Sequence, residues 1–115
     1  MKKEIKKLPK LVRDYIPGII VSSGRRFWAH SADSIELPLR LREKMQEELE
    51  EFYEEPSLSE AADLYEVFIT MLSHFKLCLE DVILVSKEKR AINGAFDQGI
   101  ILDEIEGEIK EDNDV

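Results

Sequence analysis

Cysteine is almost absent from this chain of 115 residues, and histidine nearly so. A single Cys78 cannot build an internal disulfide framework, so the expected compartment is the cytoplasm and the expected role of the thiol is that of a small buried hydrophobe. Two scattered histidines, with no second His or Cys at ligand spacing, supply neither a zinc motif nor a Ser-His-Asp or Cys-His nucleophile. No apolar run reaches membrane-spanning length, and the basic start MKKEIKKLPK leads into no signal-peptide core. A phosphate loop of the G-x-x-x-x-G-K type is missing as well. Positive charge is in short supply: 16 Lys and Arg stand against 25 Asp and Glu, a net charge of −9. That balance argues against DNA or RNA as partner, because such binding rests on Lys and Arg at phosphates. A small nucleotide stays open, since a bound cation inverts the local field.

What the chain does contain is acid placed at helical spacing. The stretch Lys44 to Leu72, KMQEELEEFYEEPSLSEAADLYEVFITML, carries Glu48-x-x-Glu51 and Glu60-x-x-Asp63. In each, two carboxylates three residues apart share one helix face. Facing carboxylates at about 5 Å and an effective dielectric of about 20 repel by roughly 3 kcal/mol, so a cluster needs a cation or shared protons. Mg²⁺ suits it, being a hard ion that takes a few carboxylates and leaves the rest of its shell to water and phosphate. The blander reading of a Glu-x-x-Glu in a chain that is 36% charged is a solvated face. Glu60 also has a structural rival role, closing a capping box with Ser57. Asp63 has none, at the head of an apolar helix carrying Leu64, Val67, Phe68, Met71, Leu72 and Phe75, where surplus charge is costly.

These words resemble a known family. The pattern E-E-x-x-E followed by E-x-x-D, at Glu47, Glu48, Glu51, Glu60 and Asp63, is similar to the MazG-like nucleoside triphosphate pyrophosphohydrolases of the all-α NTP pyrophosphatase superfamily. KLVRDYIPGII (Lys10 to Ile20) and GAFDQGIIL (Gly94 to Leu102) resemble the terminal segments of its phosphoribosyl-ATP pyrophosphohydrolase-like branch. The eight residues between Glu51 and Glu60 are fewer than is common there and imply a tight turn near Pro56. The resemblance implies an all-α bundle of about four helices that hydrolyses a nucleoside triphosphate to the monophosphate and pyrophosphate. It implies Mg²⁺, with Mn²⁺ a possible substitute, held by Glu48, Glu51, Glu60 and Asp63, and Glu47 or Glu48 as the base. Phosphoribosyl-ATP hydrolysis in histidine biosynthesis is an alternative, and a non-catalytic helical oligomerisation or regulatory module is another.

Taken in order, one domain is expected over 1–115, frayed at 1–9 and 106–115, with Lys2, Lys3, Lys6, Lys7 and Lys10 and the run Asp103 to Asp114 as solvated arms. Asp14 is expected to cap a short helix that tolerates Pro17 in its first turn and ends at Gly24. Arg13 is either a salt bridge or a phosphate contact. Ser23 to Glu36 reads as a loop in which Arg25, Arg26, Phe27, Trp28 and His30 could meet a base and phosphates, with Trp28 equally a lid packed on the core.

Pro38 opens a second helix to Glu54 or Glu55 that buries Leu41, Met45, Leu49 and Phe52. A third, Ala61 to Leu77, is apolar on more than one side and so asks for a second copy, as a homodimer or homotetramer. A fourth, Leu79 to Ile92, turns Val82, Ile83 and Val85 inward. Lys87 and Arg90 near its end serve either the helix dipole or the triphosphate. Gly94 ends this helix, and Ala95 to Ile105 follows as an extended segment anchored by Phe96, Ile100 and Leu102.

Overall fold

The computed structural model describes residues 8–108, so the lysines expected to form an N-terminal arm before Leu8 and the acidic tail beyond Glu108 lie outside the described residues. Four helices follow one another: α1 (Ile16–Ser22), α2 (Glu36–Glu54), α3 (Leu58–His74) and α4 (Leu79–Asn93). No strand occurs among the described residues, and the architecture is all-α. The chain divides into two compact units at Leu79 and Glu80. None of the described helices is long and apolar enough to cross a membrane.

The first unit is built on the hairpin of α2 and α3. Pro56 cannot continue α2, and the Ser57 hydroxyl accepts the Glu60 amide at 3.1 Å, so α3 starts at once behind a three-residue connection. This is the tight turn that the Glu51 to Glu60 spacing implies. The helix begins at Leu58 rather than Ala61, because the Ser57 cap sets its start.

The start of α2 differs from expectation for the same kind of reason. Asp33 Oδ1 accepts the amides of Ile35 at 3.0 Å and Glu36 at 2.8 Å, and the Asp33 carbonyl accepts Leu37 N–H at 3.0 Å. Asp33 thus caps the helix upstream of Pro38, which lies inside the helical segment. Those two amide bonds hold the Asp33 carboxyl below its ordinary range. At α1 the expected Asp14 cap is not formed: Tyr15 precedes the helix without a side-chain cap, and Pro17 lies in the first turn.

Helices α1 and α3 end alike. Past α1, Arg25 N–H reaches the Ile20 carbonyl and Gly24 N–H the Val21 carbonyl, with Gly24 at φ +85°. Past α3, Leu77 N–H bonds Leu72 at 2.8 Å and Lys76 N–H bonds Ser73 at 3.1 Å. Both are Schellman turns, but at α3 the left-handed residue is Lys76, at φ 59°, in a position that favours glycine.

The apolar core is small. Among the described residues only Leu41, Val67 and Leu72 are buried hydrophobes, and they are joined by one acid, Glu48, 6% exposed. The buried face of α2 therefore runs from Leu41 to Glu48, seven residues and about two turns on, while Leu49 is exposed and Met45 and Phe52 are half-buried. On α3, Val67 and Leu72 are buried, whereas Tyr65 and Phe68, and Phe75 just past its end, stay exposed. Cys78 is exposed too, not buried as expected, because it follows the turn that ends α3.

In the second unit Val82 is half-buried, but Ile83 and Val85 are exposed, so the expected inward stripe of α4 is not formed within that unit. Gly94, at φ +84°, accepts the role of stop, its N–H bonding the Arg90 carbonyl at 2.8 Å. The segment after it has no regular structure, and Phe96, Ile100 and Leu102 are exposed rather than anchored.

Candidate metal centre

Facing helices of the hairpin bring the acidic signatures together. Oxygens of Glu47, Glu48 and Glu51 lie within 4.8 Å of one another, and so do those of Glu48, Glu60 and Asp63. Glu48 belongs to both groups and is the most enclosed of the five. Its Oε1 accepts from Lys44 Nζ at 3.1 Å, while its Oε2 is fully buried with no hydrogen-bond partner among the described residues. An anionic oxygen left so costs about 1–3 kcal/mol or more. A hard divalent cation would satisfy it, and carboxylates at this separation are the donor set such an ion takes. The residues present therefore fit the group.

Three cations reach into the cluster. Glu47 receives Lys10 Nζ on Oε2 and Lys44 Nζ on Oε1, each at 2.8 Å. Arg13 Nη2 lies 2.8 Å from Asp63 Oδ1. Partial burial works against ionisation of Glu47, but the two ammonium groups outweigh it and hold the carboxyl at about 2. Burial likewise works against the charge on Lys44, and Glu47 and Glu48 more than restore it. Lys10 and Lys44 are well enclosed, whereas the Arg13 pair is half open to solvent.

A cavity of about 500 Å³ opens onto this arrangement. Leu41 and Val67 are among its apolar lining, Asp14, Glu48, Asp63 and Glu66 are its acids, and Lys10, Arg13 and Lys44 are its cations. A second cavity, about 440 Å³, shares the segment 11–14 and is completed by Pro17, Leu37 and the 29–32 stretch. Of its lining residues, His30 places Nε2 2.8 Å from Glu36 Oε1, and Arg40 Nε donates to Glu36 Oε2 at 3.0 Å. His30 first, and Arg40 second, hold the Glu36 carboxyl below its ordinary range. Trp28 is exposed, with the Arg26 guanidinium 5.5 Å from its ring centroid, and is not packed on the core.

No family model matches the chain. Nor does any curated protein or solved structure at a significant level.

The residues named from sequence thus divide. Glu47, Glu48, Glu51, Glu60 and Asp63 come together, with Arg13 beside Asp63. Lys87 and Arg90 are exposed on α4 in the second unit. The residues missed are Lys10 and Lys44. Lys44 carries a local signal, since Glu47 and Glu48 follow it at three and four residues and helical pairs of that spacing meet. Lys10, expected as part of a solvated arm, carries none: its partner is 37 residues away and is reached only through the fold.

Proposed function

We propose that the chain is a Mg²⁺-dependent hydrolase that cleaves a nucleoside triphosphate to the monophosphate and pyrophosphate in the cytoplasm. One observation carries the reading: a buried acid, Glu48, with one oxygen unpartnered, where two carboxylate groups overlap beside a cavity that also presents cations. Glu48, Glu51, Glu60 and Asp63 would hold Mg²⁺, or Mn²⁺ in its place. The ion supplies charge neutralisation at the phosphate oxygens and the leaving pyrophosphate. Glu47 or Glu48 would serve as the base, Glu47 once the two ammonium groups that engage its oxygens in the structure turn away. The oxygen of water bonds to phosphorus, the bond to pyrophosphate breaks, and the water proton passes to the carboxylate. Arg13 would orient the phosphate chain. The second cavity, of mixed polar and apolar lining and sharing its 11–14 wall with the first, would take base and sugar.

The exposed Tyr65, Phe68 and Phe75, set against so small a core, support a homodimer or homotetramer formed on α3. A second reading, a non-catalytic helical module, is favoured by the three ion pairs, which neutralise much of the cluster without a metal. Pyrophosphate release from a panel of NTPs, dNTPs and phosphoribosyl-ATP with Mg²⁺ decides between them. Release that vanishes in Asp63→Ala and Glu51→Ala, with helical content kept, is the expected result. No release from any substrate would leave the helical module, and release from phosphoribosyl-ATP alone would place the enzyme in histidine biosynthesis.

A further inference from the structure

Part of the carboxylate cluster that could receive a divalent ion, both oxygens of Glu47 and one of Glu48, is held by ammonium groups. Lys10 and Lys44 clamp Glu47 from both sides at 2.8 Å, and Lys44 also holds the Glu48 oxygen opposite the unpartnered one. A dication on the same carboxylates and an ammonium at hydrogen-bond distance repel each other, so the two cannot share the cluster at full strength. Lysine is suited to leaving: a compact charge on a flexible four-carbon stem, with donors that reorient freely. Both side chains already line the 500 Å³ cavity, a size usual for small-ligand sites. Released from the acids, their nearest available role is to donate to an anion in that cavity.

We infer that Lys10 and Lys44 are exchange residues that guard the carboxylates while no divalent cation is bound and turn to the polyphosphate of the substrate once one is. This rests on the hydrolase reading of the cavity. It differs from a fixed structural ion pair in its prediction, since removing one ammonium should move two affinities in opposite directions. In Lys44→Met, Mn²⁺ alone loses a competitor and binds more tightly, while the preformed complex of Mn²⁺ with inorganic tripolyphosphate loses a donor and binds less tightly.

Titration calorimetry of the full chain with Mn²⁺ alone, and separately with the manganese tripolyphosphate complex, tests this. Each affinity is expected to shift by at least about fivefold, in opposite senses, about 1 kcal/mol apiece. Lys10→Met should behave alike and serves if Lys44→Met loses helical content, whereas Lys44→Arg should restore the anion affinity in part. Both affinities falling together, or neither moving, would overturn the inference while leaving the metal site standing. Failure of the native chain to bind Mn²⁺ at all would overturn the metal-site reading and the inference with it.

Discussion

Replacing Glu48 by leucine should make the metal-free protein more stable while removing its capacity to bind a divalent ion. Three terms set the magnitude. An orphaned buried oxygen costs about 1–3 kcal/mol, which the substitution recovers. A leucine beside Leu41, at a site 6% exposed, adds up to about 1.5–3 kcal/mol of apolar burial if it packs fully. Against these stand the lost Lys44 contact at 3.1 Å, about 1 kcal/mol for a partly enclosed pair, and imperfect packing of the new side chain at about 1–2 kcal/mol. Lys44 keeps Glu47, so no ammonium is stranded. The net is about 2 kcal/mol in favour of Glu48→Leu, or about 8 °C in Tm for a chain of this size. Thermal unfolding followed by helical circular dichroism, at one protein concentration with chelator present, reads this directly. In excess Mn²⁺ the native chain should gain Tm, because the ion binds only the folded state, and the variant should not. A Glu48→Leu protein that melts below the native one in chelator would refute the reasoning, since Glu48 would then be a structural acid whose pairing matters more than its orphaned oxygen.

Glu47 predicts the acid response. Its folded-state value of about 2 lies below the ordinary 4.5, so its contribution is complete above 4.5 and is lost as pH falls toward 2. After discounting for solvent screening, urea unfolding in chelator should show the native chain losing about 1 kcal/mol more than Glu47→Gln between pH 7 and pH 3. Equal losses would mean that the lysine clamp is absent. Lys76→Gly should raise stability by about 0.5–1 kcal/mol, measured by the same unfolding, because glycine adopts the left-handed turn without strain. Phe68→Glu with Phe75→Glu should lower the molar mass measured by light scattering to that of one chain, and an unchanged mass would exclude α3 as the interface.

Helix existence and the acidic residues were legible because both depend on short-range pattern. Ser57, Pro56 and the three-residue spacing of carboxylates act within one turn, and the hairpin follows from them. Which face of α2 is buried was legible only in part: Leu41 is buried and Met45 and Phe52 are half-buried as hydrophobic periodicity predicts, while the observed packing puts Glu48 inward and leaves Leu49 out. A stripe reports what an element can bury, not which partner takes it up, and the small core of this unit leaves much of that stripe unused. The same limit explains Ile83 and Val85, exposed within their unit, and Cys78, whose surroundings are decided by a turn. Proline marks a helix start strongly, which is why the sequence points to Pro38, but the Asp33 carboxylate earlier in the chain takes two amides and sets the start of α2.

The spacing of the ion pairs along the chain carries one more consequence, for the order in which the molecule assembles. Glu48 and Asp63 approach across a short connection, a local event that helical hairpins complete quickly. Lys10 and Arg13 must close loops of 37 and 50 residues to reach their acids. The hairpin therefore forms with its acids already opposed and two of their three cations still to arrive, so mutual repulsion resists folding most at an early stage. Refolding is accordingly expected to quicken when Mg²⁺ is in the buffer, the ion supplying counter-charge before the N-terminal segment docks.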